Sequence, residues 1–211
     1  MAHIAVLGLG NWGSAIARLW LLDGHNVKGW TVEQEVYESI TMEGMNHKYL
    51  PEHSLEGLEA TMHVEEVLEG SEIIVLALPS SVILNVVEDI IEHLRPGHVL
   101  LDLAKGLAPG KRLISEAIHQ MLNEKNMHNP LAVLTGPTIA PEAAGGVMTT
   151  ALVASEDMSV AENLAATLTT PTFILHAASD PVGAELWGAF KNVVALACGL
   201  VDGLKQTGSL G

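Results

Sequence analysis

Six residues near the amino terminus, Gly8-Leu9-Gly10-Asn11-Trp12-Gly13, have the spacing to hold a pyrophosphate. Gly8 allows a tight turn, Gly10 lets a phosphate approach bare backbone, and Gly13 lets the following helix sit close on the preceding strand. A phosphate there meets unsatisfied N–H groups and about half a positive charge at a helix N-terminus. Two lysines also stand out. Lys105 follows an apolar run, and Lys191 lies between Phe190 and Val193-Val194 in an otherwise apolar segment. Lys and Arg total 10 against 25 Asp and Glu, a net charge of −15, so any cation beside an anion site is informative. The same acidity argues against nucleic acid and anionic membrane as partners.

These residues need elements to position them. The glycine loop follows an apolar run over residues 3–7 and precedes a helical pattern over 14–22, the setting that makes it a dinucleotide fingerprint. Residues 26–30 read as a second strand, whose end should meet the adenosine ribose. The residues there are Thr31-Val32-Glu33, an acid placed late and no arginine for a 2′-phosphate. NAD is therefore expected, with NADP left open. Helices are predicted over 33–43, 64–68, 80–94, 114–122 and 160–168. Strands are predicted over 72–78, 98–103, 131–134, 149–154 and 172–175. Asn46 to Pro51 reads as a loop with an exposed aromatic, Tyr49.

Strands alternating with helices predict parallel βαβ units in a doubly wound, Rossmann-type α/β sheet. That topology gathers the loops holding Gly8, Pro79, Lys105 and Gly136 at one mouth. Asp180-Pro181 is a strong helix start, and a long helix should follow to about residue 204. Its apolar stripe is Leu186, Phe190, Val193, Ala197, Leu200 and Leu204, beside small residues at Gly188, Ala195 and Gly199. This predicts a dinucleotide domain over 1–180 and, over 181–211, the opening helix of a truncated all-α domain. The surplus apolar surface predicts a homodimer.

The totals are those of a globular chain: 211 residues, 48% hydrophobic and 17% charged. No uncharged apolar run reaches the roughly 18 residues of a membrane span. The single Cys198 forms no internal disulfide, which favours a reducing cytoplasm. The ten histidines show no ligand spacing, and no metal site is expected.

The chain resembles the NAD(P)-dependent glycerol-3-phosphate dehydrogenases. The resemblance is carried in order by GLGNWGSAIA from Gly8, NHKYLP from Asn46, LPSSV from Leu78, KGL from Lys105, LTGPTIAPEAA from Leu134 and GAELWGAFKNVVALACGLVDGL from Gly183. It implies hydride transfer between a nicotinamide and dihydroxyacetone phosphate, giving sn-glycerol 3-phosphate. It implies Lys191 as the catalytic lysine, stabilising and protonating the developing alkoxide, with Asn192 beside it. It implies Lys105 as a contact to both cofactor and substrate, and Gly136 and Thr138 as substrate-loop residues. Asn11, Trp12, Tyr49 and Ala140 match cofactor positions and join Gly8, Gly10, Gly13 and Pro79 at the cofactor mouth. Members of the family continue into a helical substrate domain, so this chain by itself is expected to be inactive.

Val32 and Glu33 replace the basic residues common in NADP-using relatives. Thr138-Ile139 replaces a commoner Ser-Phe pair. Ketopantoate reductase and 6-phosphogluconate dehydrogenase also carry a lysine on the first helix after a nucleotide domain, which keeps those enzymes as alternatives. A non-catalytic nucleotide-binding module is the alternative of a different class. Tyr49 covering a sheet edge and Trp12 packing at a helix start are the plain structural readings of those two aromatics.

Overall fold

The computed structural model describes residues 1–207, apart from the side chain of Asn192. In chain order the elements are β1 (His3–Leu7), α1 (Asn11–Leu22), β2 (Asn26–Trp30), α2 (Gln34–Glu43), β3 (Met45–Asn46), β4 (Leu50–Ser54), β5 (Glu59–Thr61), α3 (Val64–Leu68) and β6 (Ile73–Leu76). They continue with α4 (Ile83–Ile90), β7 (Val99–Asp102), α5 (Ile114–Glu124), β8 (Leu131–Thr135), α6 (Ala140–Ala144), β9 (Thr149–Ala154), α7 (Met158–Leu168), β10 (Phe173–Ala178) and α8 (Pro181–Gln206). One sheet of eight strands has the order β10-β9-β8-β7-β6-β1-β2-β5.

The central strands are apolar on both faces, as buried parallel strands must be. In β1, Ile4 and Val6 join a core with Trp20 and Phe173. Ala5 and Leu7 join a second core with Ile83 and Ile118. Register then aligns the strand ends. Leu7 stands opposite both Trp30 and Leu76, Leu76 opposite Asp102, and Asp102 opposite Val133. The loops after β1, β2, β6, β7 and β8 therefore open at one edge. Strand order reverses between β1 and β6, the switch point where open α/β sheets bind ligands.

The sheet is not wholly parallel, contrary to the expectation from alternation. β9 runs antiparallel to β8, and β10 follows β9 in parallel. A parallel return needs a crossover along the sheet, commonly a helix. Here the connection holds only the short α6, which packs on α1, and the chain re-enters the sheet from that end. The 46–51 segment is also more ordered than a loop. It joins β3 and β4 as an antiparallel pair, and β5 then adds to the edge of β2. The Glu59-Ala60-Thr61 strand has no apolar run to announce it.

Asp180 caps α8, its Oδ1 accepting from the Gly183 N–H at 2.8 Å, a contact worth about 1 kcal/mol. α8 crosses β8 and β9. At Gly188 the approach is so close that a Cβ would lie 2.6 Å from Thr135 Oγ1. Past Lys191 the helix leaves the domain, and Val193, Val194, Leu196, Leu200 and Val201 are exposed. By length and composition α8 is long and apolar enough to cross a membrane. A search for an uncharged run passes over it because Glu185, Lys191 and Asp202 interrupt the sequence.

Candidate functional site

The glycine loop forms as its spacing predicts. Gly8 adopts φ +103°, a conformation side chains disfavour. A Cβ on Gly13 would sit 1.9 Å from the Gly8 carbonyl oxygen, so helix and loop touch backbone to backbone. Gly10, the N-cap of α1, has nothing within 4 Å of where a Cβ would be, and no side chain caps the helix. The first-turn N–H groups lack intrahelical partners. The bare, open backbone at Gly10 and the uncapped helix end fit a dinucleotide pyrophosphate. Asn11 is exposed beside it.

Around this loop the candidate residues fall into two groups. The first lies toward β7 and β8. Lys105 Nζ sits 5.8 Å from the Trp12 ring centroid, within cation–π reach. Trp12 meets Phe173 edge to face, with centroids 6.0 Å apart, so it both packs and lines the mouth. Lys191 Nζ donates to the Thr138 carbonyl at 2.6 Å. Lys191 is close enough to act on Lys105. Desolvation in the cleft, reinforced by the Lys191 ammonium and a hydrogen bond with it, lowers Lys105 to about 8, although its side chain still reaches solvent.

Lys191, Gly136 and Thr135 also line a cavity of about 530 Å³ with Trp187 and His176. Thr138 is itself buried. What it presents to Lys191 is a carbonyl, whereas the sequence reading makes it a substrate contact. Pro79 is exposed at the loop after β6, and Ala140 opens α6. The side chain of Asn192, named with Lys191 from sequence, lies outside the described residues.

The second group lies at the end of β2. Tyr49 is half-buried, where the sequence suggests exposure, and its hydroxyl donates to Glu33 Oε1 at 2.8 Å. Lys48 Nζ lies 2.5 Å from Glu33 Oε2. The buried Asn46 connects this group to the glycine loop. Its Nδ2 donates to the Leu9 carbonyl at 2.9 Å, and its Oδ1 accepts from the Tyr49 N–H at 3.1 Å. The sequence motif contains Asn46, but only the fold reveals this role.

Two buried acids also escape the sequence reading. Glu185, on α8, accepts from the Ile114 N–H at 2.5 Å and from the Ser115 hydroxyl, so it caps α5 from another element. Asp102, at the end of β7, is fully buried. Its Oδ1 accepts from the Ala104 N–H at 2.8 Å, and its Oδ2 has no partner among the described residues. Burial chiefly, with Glu185 adding and the Ala104 hydrogen bond opposing, raises Asp102 to about 8. A carboxyl before a loop gives no sequence sign of such burial. Among the described residues no His, Cys, Asp or Glu cluster could hold a metal.

Comparison with known proteins bears on the same regions. Residues 3–161 match the NAD-dependent glycerol-3-phosphate dehydrogenase N-terminus, and residues 180–209 match the C-terminus of that family. The glycerol-3-phosphate dehydrogenase [NAD(P)+] of Rhodospirillum rubrum is 40% identical over 205 residues, 96% of this chain and 57% of the relative. That of Halothermothrix orenii is 36% identical over 203 residues, 96% of this chain and 58% of the relative. The crystal structure of glycerol-3-phosphate dehydrogenase from Coxiella burnetii superposes with a TM-score of 0.86 at 32% identity, covering 97% of this chain and 62% of that one. The chain thus spans under two thirds of the length of these relatives. With its glycine loop, its paired lysines and the matched segments in the same order, it belongs to the NAD-dependent glycerol-3-phosphate dehydrogenase family.

Proposed function

We propose that this chain binds NAD(H) across the mouth of the sheet and supplies the cofactor half of an oxidoreductase. That oxidoreductase interconverts dihydroxyacetone phosphate and sn-glycerol 3-phosphate. The observation that carries this reading is the meeting of Lys105 and Lys191 beside Trp12, at the end of the glycine loop. The nicotinamide supplies the hydride. Gly8, Gly10, Asn11, Trp12 and Gly13 would hold the pyrophosphate, with Tyr49 toward the adenosine and Pro79 and Ala140 flanking the cleft. Lys105 provides positive charge for cofactor and substrate phosphate in a strongly acidic protein. Lys191 holds a proton at Nζ and can give it to an oxygen gaining negative charge. Asn192, Gly136 and Thr138 complete the proposed substrate side.

We read residues 1–180 as the dinucleotide domain and 181–211 as the start of a helical one. The exposure of α8 beyond Lys191 supports this division. It also supports low turnover by the chain alone, because hydride transfer needs a site closed to water. Leu186, Phe190, Val193 and Leu200, which share one side of α8, are all exposed. This stripe is the face a second copy would cover in a two-fold dimer. A cytoplasmic setting is supported by the one free, exposed cysteine, Cys198.

Calorimetric titration with NADH, then NADH oxidation with dihydroxyacetone phosphate, tests the reading. Micromolar binding with negligible oxidation is expected. No binding refutes it, and robust oxidation refutes the inactivity of the chain alone. Light scattering over a concentration series should show a dimer, and a strict monomer refutes that part.

A further inference from the structure

The cluster of Glu33, Lys48 and Tyr49 at the end of β2 does more than brace the β3–β4 turn. Glu33 comes three residues after the end of β2, late for an acid that binds a ribose 2′-OH. Yet it lies about twenty residues beyond Gly13, within the interval dinucleotide folds use for that acid. Its carboxylate does not cap α2, whose N-cap it is. It turns instead to the Tyr49 hydroxyl at 2.8 Å and to Lys48 Nζ at 2.5 Å. The Lys48 hydrogen bond first, then that of Tyr49, hold Glu33 below the usual carboxylate range. The turn is fixed beside the glycine loop by Asn46, through the Leu9 carbonyl at 2.9 Å. Glu35, 3.8 Å from Lys48, is the other acid in contact with it.

A carboxylate has about four acceptor sites, and these two donors leave room for a hydroxyl. A phosphate in the same place would meet the carboxylate's charge. It would also find the adjacent cation, Lys48, already paired with Glu33. An acid in this place is the known acceptor for a ribose 2′-OH in dinucleotide folds. We propose that Glu33 also withholds Lys48, a latent 2′-phosphate ligand, and that this pairing selects NAD over NADP. The proposal rests on the dinucleotide reading above. It makes specificity a property of the pair. Without the Glu33 charge, Lys48 is released to the 2′-phosphate, and the site turns toward NADP with no new arginine.

The test is calorimetric titration of the full chain and three variants with NADH and NADPH separately. The variants are Glu33→Gln, Lys48→Met and the double variant, each checked for an unchanged melting temperature. Wild type should bind NADH at least tenfold tighter than NADPH. Glu33→Gln should move that ratio toward NADPH by roughly tenfold, the scale of one charge-assisted contact. The double variant should lose the gain in NADPH affinity. Lys48→Met alone should leave NADPH as weak as in wild type, because Lys48 is already occupied. Intact NADH binding with an unmoved ratio in Glu33→Gln overturns the proposal alone. So does a gain that survives loss of Lys48. A wild type that binds neither nucleotide overturns the dinucleotide reading and this proposal with it.

Discussion

Lys191 Nζ lies 2.6 Å from the carbonyl oxygen of Thr138, tying α8 to the loop after β8. The contact holds the ammonium at the mouth, beside Lys105, instead of leaving it in solvent. Replacing Lys191 by Met should keep NADH affinity within about twofold, since the glycine loop is untouched. In a form of the enzyme that carries the helical substrate domain, turnover should fall by about 10² or more, the usual contribution of a positioned proton donor. Parallel calorimetry and oxidation assays decide between this and a merely structural lysine, which would change both little.

Lys105 titrates near 8, so it is a cation below that pH and neutral above it. Dihydroxyacetone phosphate affinity should therefore weaken as pH rises through about 8, and Lys105→Met should remove that inflection. The stability effect has the opposite direction. The folded state binds this proton less well than the unfolded chain, so the destabilising effect of the charged lysine is present below 8. It is relieved as pH rises from about 8 toward the ordinary 10.5. Competitive acylation followed across pH should show Lys105 reacting well before the other exposed lysines, and simultaneous reaction would contradict the perturbation.

Gly10 and Gly13 should fail differently. Gly10 has open space at its Cβ position. Gly10→Asp should keep the fold and its melting temperature while lowering NADH affinity by at least 10², because a carboxylate then stands where phosphate must come. Gly13→Ala forces a Cβ to 1.9 Å from the Gly8 carbonyl. It should destabilise the chain by about 1–3 kcal/mol, as overpacking does. Thermal melts and titrations on both variants separate the two roles, and equal effects on melting would count against them.

Asp102 is buried with one oxygen unpartnered among the described residues, and its folded pKa is raised to about 8 from 3.8. A raised carboxyl loses stability as pH climbs, because the unfolded chain ionises from about 4 while the folded one holds its proton to about 8. Asp102→Asn removes this penalty and keeps an oxygen for the Ala104 N–H. The variant should match wild type near pH 4 and exceed it by about 1–3 kcal/mol at pH 8. Denaturant melts at both pH values measure the difference. A variant less stable at pH 8 would show that the carboxylate has a partner the protein needs.

Much of the fold was legible because its signals are local. A glycine at a tight turn, an apolar run over β6, and Asp180-Pro181 at the head of α8 depend on neighbours a few residues away. Nearness in sequence gives each one its meaning. The pyrophosphate loop could be read from the spacing of Gly8, Gly10 and Gly13 between an apolar run and a helical pattern. The lysines could be singled out because cations are scarce in this chain and one of them interrupts an apolar helix.

Other features required the chain to fold back on itself. The reversal of β9 follows from α6 packing on α1, which no periodicity in residues 136–154 encodes. β5 exists because the edge of β2 offers it backbone partners. Asn46 matters because Leu9 ends beside it, and Glu33 because Lys48 and Tyr49 arrive from another element. Asp102 and Glu185 are ordinary acids until tertiary packing removes water from them, and Lys105 is an ordinary loop lysine until α8 brings Lys191 to its side. Sequence determined which groups were available and which turns could form. Tertiary structure decided their charge and their partners, because desolvation and Coulomb interactions depend on distance through space.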